Sequence, residues 1–331
     1  PLSSAALQFC ARWQTLASPR AGAGLGNEGA RMQRKVYLHV GAHRTGTSSF
    51  QLCLALNRAR LAEEGYDLAY PGRDGAPGGT LRLRLPRPRM GAEHLPEYVR
   101  KTQRALEAHL SAQRQKLILS EENLPGLIVH YFKGRLYPNR RRRLQAFRGG
   151  LEAVGAEVAH LVLVIRPYAA LFVSGYRKHA EDNPVPPFSD YAQRMTDFAG
   201  GWPQTVQALQ NVLRPARLTV VDYGARGQSR ALLAELVGGS AARFEEPARA
   251  LNTSATDAAL EHLQQLYHGG QRLERPAWQE VIARYAEARS PRGFAAFEAA
   301  QSARLEARYA ADLQALAQMD GVRLLCAQPK P

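Results

Sequence analysis

A glycine loop that begins at Gly41 is the first part of the sequence with recognisable chemistry. It lies between an apolar run at 36–40 and a helical pattern that starts at 47. Backbone N–H groups in such a loop, together with the positive end of the following helix dipole, bind phosphate-like anions. The candidate anion-binding residues are Ala42, His43, Arg44, Thr45, Gly46, Thr47 and Ser48.

The spacing of Gly41 and Gly46 matches the loop of nucleotide hydrolases, but one residue differs. Thr47 stands where those proteins have lysine, and Arg44 is the only strong cation in the loop. The lysine contacts the terminal phosphates in those enzymes, so the sequence disfavours an ATPase or GTPase. A tight turn without a ligand is the alternative.

Two further segments place polar residues after apolar runs. Arg166 follows the run at 158–165 and Ser174 comes eight residues later, about two helical turns on, so both can reach one phosphate. Glu121 and Glu122 follow the run at 116–120, where a carboxylate can take a proton from a hydroxyl. The alternatives are a surface ion pair for Arg166, a plain helix residue for Ser174, and a helix start capped by Ser120.

The elements that position these residues alternate along the chain. Apolar runs predict strands at 36–40, 66–70, 116–120, 158–165, 217–222 and 322–326. Helical patterns occur at 47–62, 96–113, 140–154, from Pro167, at 229–237 and over most of the chain after 253. This alternation predicts an α/β fold: a doubly wound, mainly parallel sheet with helices on both faces, similar to P-loop nucleotide hydrolases. Ligands of such sheets bind at the carboxyl ends of the strands.

The run GAHRTGTSSFQ resembles the loop of sulfotransferases that use 3′-phosphoadenosine 5′-phosphosulfate (PAPS), in the version common in bacterial and carbohydrate sulfotransferases. LVLVIRPYAALFVSGY and LILSEENL are similar to two further patterns of that family, and the resemblance covers residues 35–255. It implies a transferase that moves a sulfonate group from PAPS to an acceptor hydroxyl. It also implies 3′-phosphoadenosine 5′-phosphate (PAP) as product and no required metal.

The resemblance assigns a role to each matching residue. Arg44 stands for the family's lysine beside the transferred group, and Arg166 with Ser174 for its 3′-phosphate site. Glu122 matches the base that deprotonates the acceptor, with Glu121 as the second choice. Asn252 and Ser254 resemble a late Asn-x-Ser near the nucleotide, although the same residues are typical of a helix cap.

The composition is that of an ordinary globular protein. The chain has 331 residues, 45% of them hydrophobic, and a formal charge of +15, which excludes a collagen-like repeat or a disordered polybasic tail. We expect a flexible leader at 1–31 and one domain at 32–331, with a functional or mobile loop at 71–96 and a helical part from 253. Three widely spaced cysteines and no apolar run of membrane-spanning length favour a cytoplasmic protein.

The positive charge is concentrated in one segment. Residues 73–148 hold 17 Lys and Arg against 6 Asp and Glu, outside the two predicted phosphate sites. We therefore expect an anionic acceptor, such as an acidic or sulfated glycan. A P-loop kinase of small molecules is the first alternative function. A nucleic-acid-binding protein is the second, suggested by the arginine run at 140–143, although no nucleic-acid-binding motif accompanies it.

Overall fold

A computed structural model describes residues 33–72, 75–248 and 254–327. Their strands form one parallel sheet in the order β2-β3-β1-β4-β5-β6. The strands are β1 Arg34–His39, β2 Tyr66–Ala69, β3 Lys116–Ser120, β4 Ala156–Ile165, β5 Arg217–Asp222 and β6 Val322–Leu325. The predicted α/β, doubly wound fold is confirmed.

Helices surround this sheet. They are α1 Thr47–Leu56, α2 Arg58–Glu63, α3 Leu95–Glu107, α4 Arg140–Ala153, α5 Tyr168–Ala180, α6 Ser189–Thr196, α7 Trp202–Leu213, α8 Ser229–Val237, α9 Asp257–His268, α10 Arg275–Arg284 and α11 Ala299–Ala317. In the described ranges, no helix combines the length and the apolar character needed to cross a membrane.

The central strand β4 is covered on both of its faces. Its last six residues, 160–165, are all buried. Leu161 and Leu163 belong to the larger core with α4, α5 and α7, whereas Val162 and Val164 pack in a second core with α1 and α8. Alternate side chains of one strand thus enter two cores, which is why its sequence is almost continuously apolar.

Two predicted helices have different limits in the structure. The helix predicted over 47–62 is two helices, α1 and α2, separated at Asn57. The Asn57 amide donates to the carbonyl of Glu245 at 2.9 Å and accepts from its N–H at 2.9 Å, so a distant segment holds the break. The helix predicted over 96–113 ends at Glu107.

Other segments differ from the sequence expectations or lie outside them. No element was predicted between 181 and 216, where the structure has α6 and α7. The described part of the 71–96 segment packs Leu81 and Leu85 into the larger core. The predicted leader at 1–31 lies outside the described residues.

The order of the strands brings the predicted site residues to one edge of the sheet. β1 lies between β3 and β4, and all three run in the same direction. Their carboxyl ends therefore lead into the glycine loop, into Glu121 and Glu122, and into Arg166. This edge is the usual ligand-binding place in such sheets.

His39, the last residue of β1, gives a prediction about stability against pH. It is buried, and its Nδ1 lies 2.9 Å from the Ser120 hydroxyl. Burial, and secondarily the charge of Arg226, lowers the pKa of His39 to about 3. As pH falls below the ordinary value near 6.5, the unfolded chain takes up a proton that the folded chain does not. Stability should therefore fall between pH 6.5 and 3, with a contribution of about 1.4 kcal/mol per pH unit from this group.

Urea unfolding at several pH values between 4.5 and 7 measures this contribution. In the His39→Gln variant the free energy of unfolding should depend less steeply on pH, by about the same 1.4 kcal/mol per unit. His94→Gln, at an exposed histidine, is the matched control and should keep the original slope. An unchanged slope in His39→Gln would contradict the assignment.

Candidate functional site

The glycine loop is hydrogen-bonded to β4, and two of its threonine hydroxyls bind the same carbonyl group within the loop. The N–H of Ala42 donates to the carbonyl of Val164 at 2.8 Å, and the Val164 N–H donates back to the carbonyl of Gly41 at 2.6 Å. The hydroxyls of Thr45 and Thr47 both donate to the Ala42 carbonyl, at 2.7 and 3.2 Å. The loop thus has a fixed shape and leads directly into the N-terminus of α1.

The first turn of α1 has the electrostatic character of an anion site. It contains no acidic residue, and Gly46 at its start gives no side-chain cap. The positive end of the helix dipole is therefore not compensated by a carboxylate of its own first turn. Ser48, predicted from the sequence to contact an anion, is buried in this turn.

Two glycines of the loop allow other segments to approach closely. Gly41 and Gly46 have φ angles of 90° and 92°, a region that favours glycine. A Cβ atom on Gly41 would lie 2.9 Å from the Cβ of Glu122, and one on Gly46 would lie 1.6 Å from Nη1 of Arg226. The glycines thus place Glu122 and Arg226 directly against the loop.

Arg44 joins segments that are far apart in the sequence. Its Nε donates to the Ser174 hydroxyl at 2.9 Å, and its Nη2 donates to the Ser254 hydroxyl at 3.4 Å. These partners are 130 and 210 residues away along the chain. Three predicted site residues from separate segments, Arg44, Ser174 and Ser254, therefore meet at one point. Asn252, predicted together with Ser254, lies outside the described residues.

Two more guanidinium groups clamp the loop. Nη1 of Arg166 donates to the carbonyl of Arg44 at 2.7 Å, and Nη1 of Arg226 donates to the carbonyl of Thr45 at 2.7 Å. Both guanidinium groups also lie near the ring of Tyr223, at distances from its centre of 4.7 Å for Arg166 and 5.0 Å for Arg226. Together with Arg44 of the loop itself, they bring three arginines to this place.

The charge of these three arginines is uncompensated within the described part of the chain. None of Arg44, Arg166 and Arg226 has a carboxylate within ion-pair distance there. Burial, with repulsion from the other two arginines, lowers the pKa of Arg166. Its Nε is buried and has no hydrogen-bond partner among the described residues. A concentrated positive charge with an unused donor fits an anionic ligand.

The two candidate bases follow directly after the end of β3. Glu121 is 3% exposed, and its Oε1 accepts from the N–H of Asn123 at 2.8 Å. Glu122 is half-buried and lies against Gly41 of the loop. The two neighbouring carboxylates therefore have different surroundings, and Glu122 is the one next to the glycine loop.

His43 connects the loop to a buried polar chain. Its Nδ1 lies 2.9 Å from the Tyr137 hydroxyl, and its Nε2 lies 2.9 Å from Oδ1 of Asn123. The Tyr131 hydroxyl donates to that of Tyr137 at 2.8 Å. Burial, with a contribution from the negative charge of Glu122, raises the pKa of both tyrosines. These hydroxyls are therefore neutral donors near the Glu122 carboxylate.

Comparison of the sequence with models of known protein families and with curated proteins found no match in either case.

Several residues of this site were not predicted from the sequence. Arg226 and Tyr223 follow β5, and no motif marks them. Tyr131 and Tyr137 lie in the segment after β3, where aromatic residues are typical of a core. Asn123 also belongs to the site, and it could have been selected from the sequence because it directly follows the predicted base.

The arginine run at 140–143 has mainly structural contacts. Arg143 is buried and donates to the carbonyls of Asn123, Leu124 and Pro86 at 2.6, 3.2 and 3.0 Å. Arg142 donates to the carbonyl of Met90. Arg140 also donates to backbone carbonyls, so three of the four arginines of this run stabilise neighbouring segments, and only Arg141 is exposed.

Proposed function

We propose that this chain is a PAPS-dependent sulfotransferase that transfers a sulfonate group to an acceptor hydroxyl. The observation that carries the proposal is the meeting of Arg44 with Ser174 and Ser254, beside the contact of Arg166 with the loop. PAPS has phosphate groups at two separate positions. A loop with a helix N-terminus, next to a second guanidinium from Arg166 and the hydroxyl of Ser174, suits such a ligand.

The loop amides and Arg44 hold the 5′-phosphosulfate in this proposal. Arg166 and Ser174 bind the 3′-phosphate, and Arg226 adds positive charge beside Tyr223. The Arg44 side chain extends from the loop to Ser174, so its guanidinium can contact either end of the nucleotide. The fixed shape of the loop reduces the reorganisation needed when charge develops on the leaving group.

Glu122 acts as the general base. Its position against Gly41 puts a carboxylate beside the loop that holds the transferred group. It removes the proton of the acceptor hydroxyl as the oxygen attacks. PAPS supplies the sulfonate, whose S–O bond to the phosphate breaks as a new S–O bond to the acceptor oxygen forms, with PAP as the leaving group. Asn123 and His43, which share a hydrogen bond, hold the segment after Glu122 on the loop.

Calorimetry with three nucleotides tests the proposal. PAP should bind about 10 to 100 times more tightly than AMP, because AMP lacks the 3′-phosphate that forms charge-assisted hydrogen bonds with Arg166 and Ser174. PAP should also bind more tightly than ATP with magnesium. Radiolabelled sulfate transfer from PAPS to a panel of hydroxyl compounds then identifies the acceptor.

Two variants make this test specific. Arg166→Ala should bring the affinities for PAP and AMP close together, whereas Arg60→Ala, at an exposed arginine of α2, should keep the preference for PAP. Tighter binding of ATP than of PAP would favour the kinase alternative. Binding of neither nucleotide would contradict the proposed function.

A further inference from the structure

A basic groove lies on the outer side of the helices that cover the sheet. It runs between α4 and α7, reaches the end of α11 and has a volume of about 790 Å³. Its lining includes Arg140, Arg141, Arg148 and Arg214 and four amide side chains, among them Gln207 and Asn211. None of the described residues that line it is acidic or aromatic.

Most of the positive charge in the groove is not neutralised. Arg148 forms an ion pair with Glu152 at 2.5 Å. Arg140, Arg141 and Arg214 have no carboxylate partner in the described ranges. Three arginines in one concave surface create a positive potential that attracts anions.

Arg140 is fixed in place, whereas the other two arginines are exposed. Its Nε donates to the carbonyl of Gln204 at 3.0 Å, and its Nη1 donates to those of Leu136 and Tyr137 at 3.2 and 3.1 Å. A guanidinium held by the backbone loses little conformational entropy when it binds an anion. The groove therefore contains one preorganised guanidinium and two adaptable ones, Arg141 and Arg214.

The groove begins near the candidate site. Arg140 contacts the carbonyl of Tyr137, whose hydroxyl contacts His43 of the glycine loop. At the start of α7, the Trp202 side chain donates to the carbonyl of Arg166 at 3.1 Å. Arg214 lies just before the amino end of β5, at the end of the sheet opposite to the glycine loop. The groove therefore extends from the carboxyl edge of the sheet, where the loop lies, towards its amino edge.

The lining residues indicate the class of ligand. Single-stranded nucleic acids bind on aromatic side chains that stack with the bases, and this lining has none. Guanidinium groups pair with sulfates and carboxylates, and amides exchange hydrogen bonds with hydroxyl groups. We propose that the groove binds an anionic oligosaccharide chain, part of which extends to the transfer site as the acceptor. The link to the acceptor rests on the proposed function, whereas binding to the groove does not.

Binding of a fluorescent heparin hexasaccharide tests the groove without any nucleotide. The test variant combines Arg141→Gln with Arg214→Asn. Arg214 has a φ angle of 47°, which asparagine tolerates better than most residues. We expect affinity for the hexasaccharide to fall about tenfold at moderate salt, since two charge-assisted contacts are lost. The dependence of affinity on salt should also become weaker, because fewer counterions are released.

A charge-matched control separates the groove from the overall charge of the protein. Arg60→Gln with Arg272→Asn removes the same charge from two exposed positions outside the groove and should leave affinity within about twofold, the effect of distant, screened charges being small. Equal losses in both double variants, or no loss in the groove variant, would overturn the proposal. So would a DNA duplex that binds the groove more tightly than the hexasaccharide. PAP affinity, measured in parallel, should be unchanged in the groove variant, so failure of the groove and failure of the nucleotide site are distinguishable.

Discussion

Replacement of Glu122 by glutamine is expected to lower turnover about 10²- to 10⁴-fold, the range for loss of a general base. Glutamine has nearly the same size but cannot take the proton of the acceptor hydroxyl. The packing of Glu122 against Gly41 should be preserved, since it involves the Cβ atom and not the carboxylate. Sulfate transfer from labelled PAPS measures the loss, and calorimetry with PAP should show unchanged affinity.

Glu121→Gln is the matched control, because the neighbouring carboxylate is buried and has a backbone partner. Its Oε1 accepts from the N–H of Asn123, and a glutamine oxygen can accept the same hydrogen bond. Turnover in this variant should therefore stay within about threefold of the unmodified protein, because a neutral acceptor replaces a charged one in a hydrogen bond away from the acceptor hydroxyl. A large loss in Glu121→Gln together with full activity in Glu122→Gln would move the base to Glu121.

The sequence was sufficient to predict the sheet but not all of the helices. β4 has a long apolar run, which identifies a buried parallel strand without further information, and shorter apolar segments mark the other strands. The break at Asn57 could not be predicted, since Leu54 and Leu61 continue the helical spacing and the hydrogen bonds that fix the break come from Glu245. The helix α7, in contrast, could have been predicted from the sequence. Its buried residues have helical spacing: Trp202, Val206, Leu209 and Leu213.

The same distinction applies to the site. Arg44 occupies a defined loop, Arg166 follows a predicted strand, and Ser174 comes eight residues later in α5, so local patterns mark them as candidates. Arg226 lies 181 residues from its partner Thr45, and only the packing of the segment after β5 against Gly46 brings them together. Contacts of this kind depend on tertiary structure, and a single sequence does not encode them in any local pattern.

Replacement of Arg44 by alanine is expected to affect both nucleotide binding and turnover. Loss of a guanidinium that contacts phosphate should weaken PAP binding about 10- to 100-fold. Loss of charge stabilisation beside the leaving group should lower turnover by a further factor of about 10² to 10³. Calorimetry and labelled sulfate transfer measure the two effects separately. Unchanged PAP affinity and turnover in Arg44→Ala would exclude this residue from the site.

Arg44→Lys distinguishes the two roles. Lysine keeps the positive charge but cannot reproduce the two contacts of the guanidinium, from Nε to Ser174 and from Nη2 to Ser254. If Arg44 acts mainly on the transferred group, lysine should restore most of the turnover that alanine removes, in agreement with the lysine of the sulfotransferases that this loop resembles. If it acts mainly at the 3′-phosphate, lysine should leave turnover low and reduce the preference for PAP over AMP. We expect the first result, because the resemblance assigns the 3′-phosphate to Arg166 and Ser174, which remain in place.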